Sequence, residues 1–570
     1  MAVTMPVDRD PRATTQARRG RPVRDRAAAP APIPLWGAVL VALLAGPVMD
    51  GAFPDLGVWP LAFVGIALVL IVLRGRRAGG SFLVGLVFGL SFYLVHIQWA
   101  TLFLGIVPWL ALSTLEALFV GVGSILITLA YRWIPQLWPD RAAPGDGRRS
   151  RLLVGSVGIA RLGLLPLAVA GLWTAREAIS AVWPYGGFSW GRVAMSQSES
   201  PFAGLFAWLG ISGVSFAMVW LVAFAIELIL AAVIASRGAH GLVGARRAGP
   251  ALAVLLALGV ATAGLLAVPH WQTATDGTLK VAAIQGNTKS GYFDQRSYQG
   301  EILDGHITAT LPVLGDDVDV IVWPEGAADL DPLEDAGAAQ AIDLVSQAAG
   351  APIILGTITQ RENAIYNSSL LWQPALGATD IYDKRHPVPF GEYVPDRAFW
   401  EPFAPDLIGL IGREYTPGTN DPVFDLGSVD GRDVQVAVNI CFDIVDDALM
   451  RQSVTDGGEA IFAQSNSADF GRTDESVQQL AIARIRALET GRTVVNASTV
   501  GTTAIVAADG STVDRMPTFT TGALVDEIDL HTGETPAVVV GAQLEQLVSF
   551  FGLAALLLAG LLRPRRRPVA

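Results

Sequence analysis

The run VQVAVNIC, residues 434–441, is short, rich in valine and ends on the only cysteine of the chain. A stretch of that length and composition predicts a β-strand covered on both faces, the kind found in parallel sheets. The pattern recurs on either side of it, in LKVAAIQ (279–285), VDVIVWPE (318–325), APIILGTI (351–358), EAIFAQSN (459–466) and RTVVNAST (492–499). Helical spacing occupies roughly 295–313, 335–349 and 474–490, the last through Leu480, Ile482, Ile485 and Leu488. Buried strands mixed with helices predict a layered α/β domain over residues 271–540.

Outside that domain the composition changes. The whole chain of 570 residues is 51% apolar, has a mean hydropathy of +0.44 and is 16% charged, against roughly 25% charged in an ordinary soluble domain. Runs long enough to cross a bilayer lie near 33–52, 57–73, 80–100, 106–130, 154–174, 204–235, 249–268 and 543–562. Arg161 interrupts the fifth. The predicted fold is therefore a polytopic α-helical membrane domain of about eight spans with the α/β domain inserted between the last two. The organisation that follows is a disordered basic leader at 1–31, seven spans within 32–270, the α/β domain at 271–540, an eighth span at 541–562 and a basic tail at 563–570.

Arginine outnumbers lysine 37 to 3 among the 40 basic residues, and its positions set the orientation. Clusters at Arg18–Arg26, Arg74–Arg77, Arg132–Arg151, Arg237–Arg247 and Arg563–Arg567 fall on one side if eight spans are counted. The positive-inside rule places that side and both termini in the cytoplasm, so residues 271–540 are expected outside. A single cysteine excludes a disulfide framework, and six histidines without an HExxH pattern argue against a histidine-built metal site. A net charge of -12 gives no reason to expect nucleic acid as a partner. The GxGS string at 121–124 lies inside an apolar span with no strand before it, so a nucleotide loop is not expected.

The chemistry-bearing residues stand at strand ends. Cys441 closes one strand and Glu325 another, while Lys384, one of three lysines, sits in YDKRHPVPFGEYVP (382–395), eight residues before Glu392. A cysteine nucleophile needs a base to take its proton, and a carboxylate in a partly desolvated pocket can serve. A lysine beside them steadies the thiolate and the oxyanion formed when a carbonyl is attacked. His386 beside the lysine is a weaker alternative base. Asn367 and Asn496 head N-x-S triplets in surroundings that read as buried.

Glu325, Lys384 and Cys441, in the contexts WPEG, YDKRHPVPFGEYVP and VNICFD, resemble the Glu-Lys-Cys triad of the nitrilase superfamily. With seven spans before and one after, the chain from about 33 to 562 resembles the apolipoprotein N-acyltransferases, bacterial membrane enzymes of lipoprotein maturation. SNSADFG (465–471), ARIRALETGR (483–492) and PYGGFSWGR (184–192) also match the family's pattern. The resemblance implies an α-β-β-α catalytic domain with Cys441 as nucleophile, Glu325 as general base, Lys384 stabilising the tetrahedral intermediates and Glu392 supporting lysine and base. It implies a membrane phospholipid as acyl donor and a diacylglyceryl-modified apolipoprotein as acceptor, with no metal, cofactor or nucleotide. The family commonly has Tyr then Glu after the nucleophile, where this chain has Phe442 and Asp443.

The aromatic and glycine-rich segment 387–418 is expected to form a lid. Phe390, Tyr393, Trp400, Phe442 and Asp443 are candidates for the lid or for substrate binding. Arg176 and Glu177, near the outer end of span five, either pair or meet a head group. The basic leader is a candidate docking segment for a membrane protein partner. Two other readings stay open from sequence: a membrane-tethered nitrilase-like amidohydrolase, and a non-catalytic membrane scaffold.

Overall fold

Small residues let the membrane helices approach closely. A Cβ on Gly552 would lie 2.6 Å from the Gly171 carbonyl carbon, so α5 (Leu165–Ser180) and α12 (Pro536–Leu562) cross backbone against backbone. The computed structural model describes residues 31, 33–137, 159–238 and 245–563. The leader up to residue 30, Arg141, Arg148, Arg149 and Arg151, and Arg565 to Arg567 lie outside the described residues.

The chain is a multi-pass membrane protein. Among the described residues, five helices are long and apolar enough to cross a bilayer: Ala78–His96, Ile106–Leu137, Arg161–Ser180, Ala203–Val233 and Pro536–Leu562. At two of the other three expected positions the apolar helices are shorter, α1 (Leu35–Asp50) and α2 (Pro60–Leu73); at the third stands α7 (Ala245–Leu266), 22 residues long. At 1.5 Å per residue, the 16 residues of α1 reach about 24 Å, short of a hydrocarbon core of about 30 Å. The remaining membrane helices are α3 (Ala78–His96), α4 (Ile106–Trp133) and α6 (Phe206–Gly238). At the fifth expected position the described residues form a π-helical turn at Ile159–Leu164 followed by α5, and the apolar stretch within them runs Arg161–Ser180.

The α/β domain holds two six-stranded sheets. The first has the order β12-β1-β2-β3-β4-β5 and the second β11-β10-β9-β8-β7-β6. Their strands are β1 (Ala274–Gln285), β2 (Val320–Val322), β3 (Ile353–Arg361), β4 (Ala364–Gln373), β5 (Gly377–Asp383) and β6 (Val423–Val429). The rest are β7 (Arg432–Ile440), β8 (Ala460–Ser465), β9 (Thr493–Ser498), β10 (Ala504–Val506), β11 (Thr512–Arg515) and β12 (Gly522–Thr532). The six runs read from sequence are the two parallel trios β1-β2-β3 and β7-β8-β9. Antiparallel strands flank each trio.

The sheets face each other through Val281, Val322, Val436, Val438, Phe462 and Val495. Helices α8 (Glu301–Thr310) and α9 (Ala336–Ala349) cover the first sheet. Helices α10 (Asp447–Thr455) and α11 (Glu475–Thr490) cover the second, giving an α-β-β-α stack. Leu449, Ile482 and Ile485 of this last layer share one apolar cluster with Trp190, Phe206 and Ile211 of the membrane domain. The α10–α11 layer is thus the side that sits on the membrane helices.

Buried charge fixes that seat. Arg192, in the loop before α6, forks onto Asp447 at 2.7 and 2.8 Å, and Arg486 of α11 reaches the same carboxylate at 2.8 Å. Burial alone would raise the Asp447 carboxyl, but the two guanidinium groups override it and hold the group well below the usual carboxylate range. Gly210, at φ 65°, breaks the start of α6, and Glu489 of α11 accepts the freed Ile211 N–H at 3.3 Å. Gln478 of α11 accepts the indole N–H groups of Trp99 (3.1 Å) and Trp190 (2.8 Å) and donates to the His96 carbonyl (3.1 Å).

Candidate active site

The parallel strands of both sheets end near one another, and the loops that leave them carry the reactive groups. Cys441 follows β7 directly, in a left-handed conformation (φ 51°) that turns the chain sharply into the 3-10 turn Cys441–Val445. Glu325 lies three residues beyond β2, and Lys384 is the first residue after β5. Glu392 sits in a tight turn in which its N–H donates to Val388 O at 2.8 Å and Phe390 has φ 60°.

Lys384 is 1% exposed, and its Nζ lies 2.8 Å from Glu392 Oε2 and 3.3 Å from Glu325 Oε1. Asn367 Nδ2, from β4, bridges the two carboxylates at 2.8 and 3.0 Å. The second oxygen of Glu325 accepts the Asn466 N–H at 2.8 Å, and Glu392 Oε2 accepts the Val388 N–H at 2.7 Å. Burial opposes the Lys384 charge, yet Glu325 and Glu392 together push its pKa well above the usual lysine value. Burial likewise opposes the Glu392 carboxylate, and Lys384 brings it below its ordinary value. The Cys441 thiol is pushed well up, first by burial and then by the charge of Glu325, with Lys384 acting the other way. At rest the site therefore holds a lysine ammonium between carboxylates beside a neutral thiol.

Asp443 points inward and is fully buried. It accepts the Tyr382 hydroxyl at 2.8 Å and the backbone N–H groups of His386 (2.9 Å) and Arg385 (3.3 Å), tying the lysine loop to the nucleophile turn. His386 Nε2 pairs with Asp446 at 3.0 Å, so it is engaged away from the thiol. Phe442 lies nearly parallel to Trp190 (2°, centroids 6.5 Å apart) and Phe188 (14°, 6.2 Å) of the membrane domain. Ser189 Oγ donates to Val445 O at 3.2 Å, closing the same contact.

Phe390 meets Trp400 edge-on at 5.6 Å and Tyr185 at 6.2 Å, while the Trp400 indole donates to the Tyr185 hydroxyl at 3.2 Å. The flap they belong to packs Val394, Ile408 and Ile411 on Leu104 of the membrane domain and leaves Phe399 and Phe403 exposed. Tyr393 is half-buried in that flap, its carbonyl accepting the Phe390 N–H at 2.8 Å. Arg176 and Glu177 pair at 3.3 Å.

Two site residues escaped the sequence reading of the triad. Asn367 stood out only as the head of an N-x-S triplet, and it is buried between two glutamates. Glu475, in the first turn of α11, is 3% exposed, has an oxygen without a hydrogen-bond partner and bears on both Glu325 and Cys441. Its only sequence signal was an acidic residue opening a helix four residues past SNSADFG.

Two facing sheets with Glu, Lys and Cys at strand ends define a carbon-nitrogen hydrolase domain, and the family model described as carbon-nitrogen hydrolase matches residues 280–536. The model for the apolipoprotein N-acyltransferase N-terminal domain matches residues 45–224. An apolipoprotein N-acyltransferase of Mycolicibacterium smegmatis is 32% identical over 546 residues, covering 91% of this chain and 84% of the relative. One of Pseudomonas paraeruginosa is 30% identical over 558 residues (94% and 98%), and one of Pasteurella multocida 26% over 525 residues (91% and 94%). The chain belongs to the apolipoprotein N-acyltransferase family.

Proposed function

We propose that this chain moves a fatty acyl group from a membrane phospholipid, through a thioester on Cys441, to the α-amine of the diacylglyceryl-modified cysteine of an apolipoprotein. It works in the bacterial plasma membrane with about eight spans, both termini in the cytoplasm and the α/β domain outside. The observation that carries this reading is the seat of the nucleophile turn. Phe442 stacks on Trp190 and Phe188, and Val445 is bonded to Ser189, so the cysteine opens beside the membrane domain. A lipid ester fits that position better than a soluble amide.

In the first half-reaction Glu325 takes the thiol proton as sulfur attacks the ester carbonyl. The neutral thiol means that deprotonation accompanies attack. Lys384, kept charged by its two carboxylates, faces the developing thiolate and oxyanion. Glu325 then gives the proton to the departing lysophospholipid oxygen. The thioester keeps its transfer potential, so an amine can complete the cycle without nucleotide. Glu392 and Asn367 are positioning residues that hold Lys384 and Glu325.

The test is intact mass spectrometry of the full chain after incubation with phospholipid, beside Cys441→Ala. The expected result is a fatty-acyl increment on the wild type that hydroxylamine removes and the variant never gains. A folded wild type that gains no adduct under conditions where hydrolysis is slow refutes the phospholipid donor.

A further inference from the structure

Aminolysis of a thioester by a lipoprotein α-amine has a proton surplus that the triad does not absorb. The amine reaches neutral solution mainly as ammonium. Forming the amide breaks two N–H bonds and the C–S bond and makes one N–C bond. One proton passes through Glu325 to the leaving sulfur, restoring the thiol. The other has to leave the nitrogen before it can attack, and Glu325 cannot hold both.

Glu475 sits where a second acceptor is needed. It opens α11 directly after the loop that carries Asn466, whose N–H binds Glu325 at 2.8 Å. Glu475 is 3% exposed, the Ser467 hydroxyl eases its charge against the effect of burial, and its Oε2 has no hydrogen-bond partner. Its charge bears on the Cys441 thiol more than that of Glu392 does, although Glu392 is part of the lysine cluster. Among the described residues no arginine or lysine pairs with it. The groups that face it are Glu325 beyond β2, Cys441 beyond β7 and Ser467 beyond β8. A buried carboxyl without a cation, close to the nucleophile, is suited to a cation that arrives with the substrate.

On the reading of Proposed function, we propose that Glu475 binds the acceptor ammonium and takes its surplus proton, releasing it to water after the amide forms. Burial raises this carboxyl to about 8. An α-amine titrates at about 7.7–8.0, so transfer between the two is nearly balanced. The docking ammonium favours the ionised carboxylate, and proton transfer within the pair then leaves a neutral acid beside a free amine.

Glu475→Gln and Glu475→Asp separate this step from acylation. The full chain in detergent is acylated from phospholipid, freed of donor and mixed either with a diacylated lipopeptide bearing a free α-amine or with hydroxylamine, which is uncharged at neutral pH. The expected result for Glu475→Gln is a drop of about tenfold in lipopeptide aminolysis at pH 7, the free-amine fraction left to it, closing toward pH 9. Hydroxylamine should resolve both acyl-enzymes alike, and Glu475→Asp should restore part of the neutral-pH rate. Aminolysis by Glu475→Gln that tracks the wild type at every pH overturns the proposal. Equal losses toward lipopeptide and hydroxylamine also overturn it, because they indicate only a positioning role. Failure of the wild type to form an acyl-enzyme instead removes the phospholipid donor and, with it, this step.

Discussion

Glu392→Gln isolates the cost of leaving the buried ammonium of Lys384 with one carboxylate. Three donors converge on Glu392: Asn367 Nδ2 at 3.0 Å on one oxygen, and Val388 N at 2.7 Å and Lys384 Nζ at 2.8 Å on the other. A glutamine replaces one oxygen with an NH2 group, so at least one donor faces a donor, whichever way the amide is turned. That mismatch costs about 1–3 kcal/mol, and removing one partner of a buried pair costs about 3–5 kcal/mol in all. Glu325, 3.3 Å away, and the glutamine oxygen recover part of the interaction, so the lower figure of about 3 kcal/mol is expected. At roughly 2–4 °C per kcal/mol for a domain of this size, melting followed by tryptophan fluorescence in detergent should fall by about 6–12 °C at pH 7.

The sign of the pH dependence is fixed as well. Glu392 is depressed below its ordinary value of 4.5, so its contribution is complete above that pH and is lost as pH falls through the folded-state value. The gap between wild type and Glu392→Gln should therefore narrow in acid, where the wild type loses the same carboxylate. A variant that melts within 2 °C of the wild type at pH 7 would falsify the account of the lysine cluster.

A methyl group on Gly356 would lie 2.5 Å from Pro324 O and 2.6 Å from Glu325 Cα, so Gly356→Ala must push the Glu325 backbone aside. Single-turnover acyl-enzyme formation should slow by about 10²-fold, and wild-type speed would show that the base tolerates the shift. Glu475 works in the opposite sense to Glu392: its folded-state value is raised to about 8 from 4.5, so stability present below 4.5 is lost as pH rises through 8. Denaturation of Glu475→Gln against wild type should show a gain that grows between those limits toward a few kcal/mol, on the order of 4. A constant difference from pH 5 to 9 would contradict a neutral buried acid.

Strands buried on both faces have to be apolar along their whole length, which is why the two parallel trios were legible as bare valine and isoleucine runs. The flanking strands were harder to read: β5 reads GATDIYD, every residue of β11 is exposed, β10 is only three residues long, and the buried part of β4 carries Asn367, Ser368 and Ser369. Rarity made Cys441 and Lys384 visible, and a strand end made Glu325 visible, since a charged residue at the close of an apolar run has no packing reason to be there.

Sequence alone determined the division into membrane and α/β parts, the strand-end positions of Glu325 and Cys441, the rarity of Lys384, and the family pattern around them. Only the tertiary structure decided what each carboxylate faces. Glu392 and Glu475 are both buried glutamates near the same thiol, and burial raises both, but the Lys384 ammonium brings Glu392 back below its ordinary value while no cation does the same for Glu475. Asn367 reaches Glu325 across 42 positions, and Arg192 reaches Asp447 across 255. Sidedness, strand pairing and charge complementarity over such separations are set by how the sheets and helices pack, which no local pattern of residues encodes.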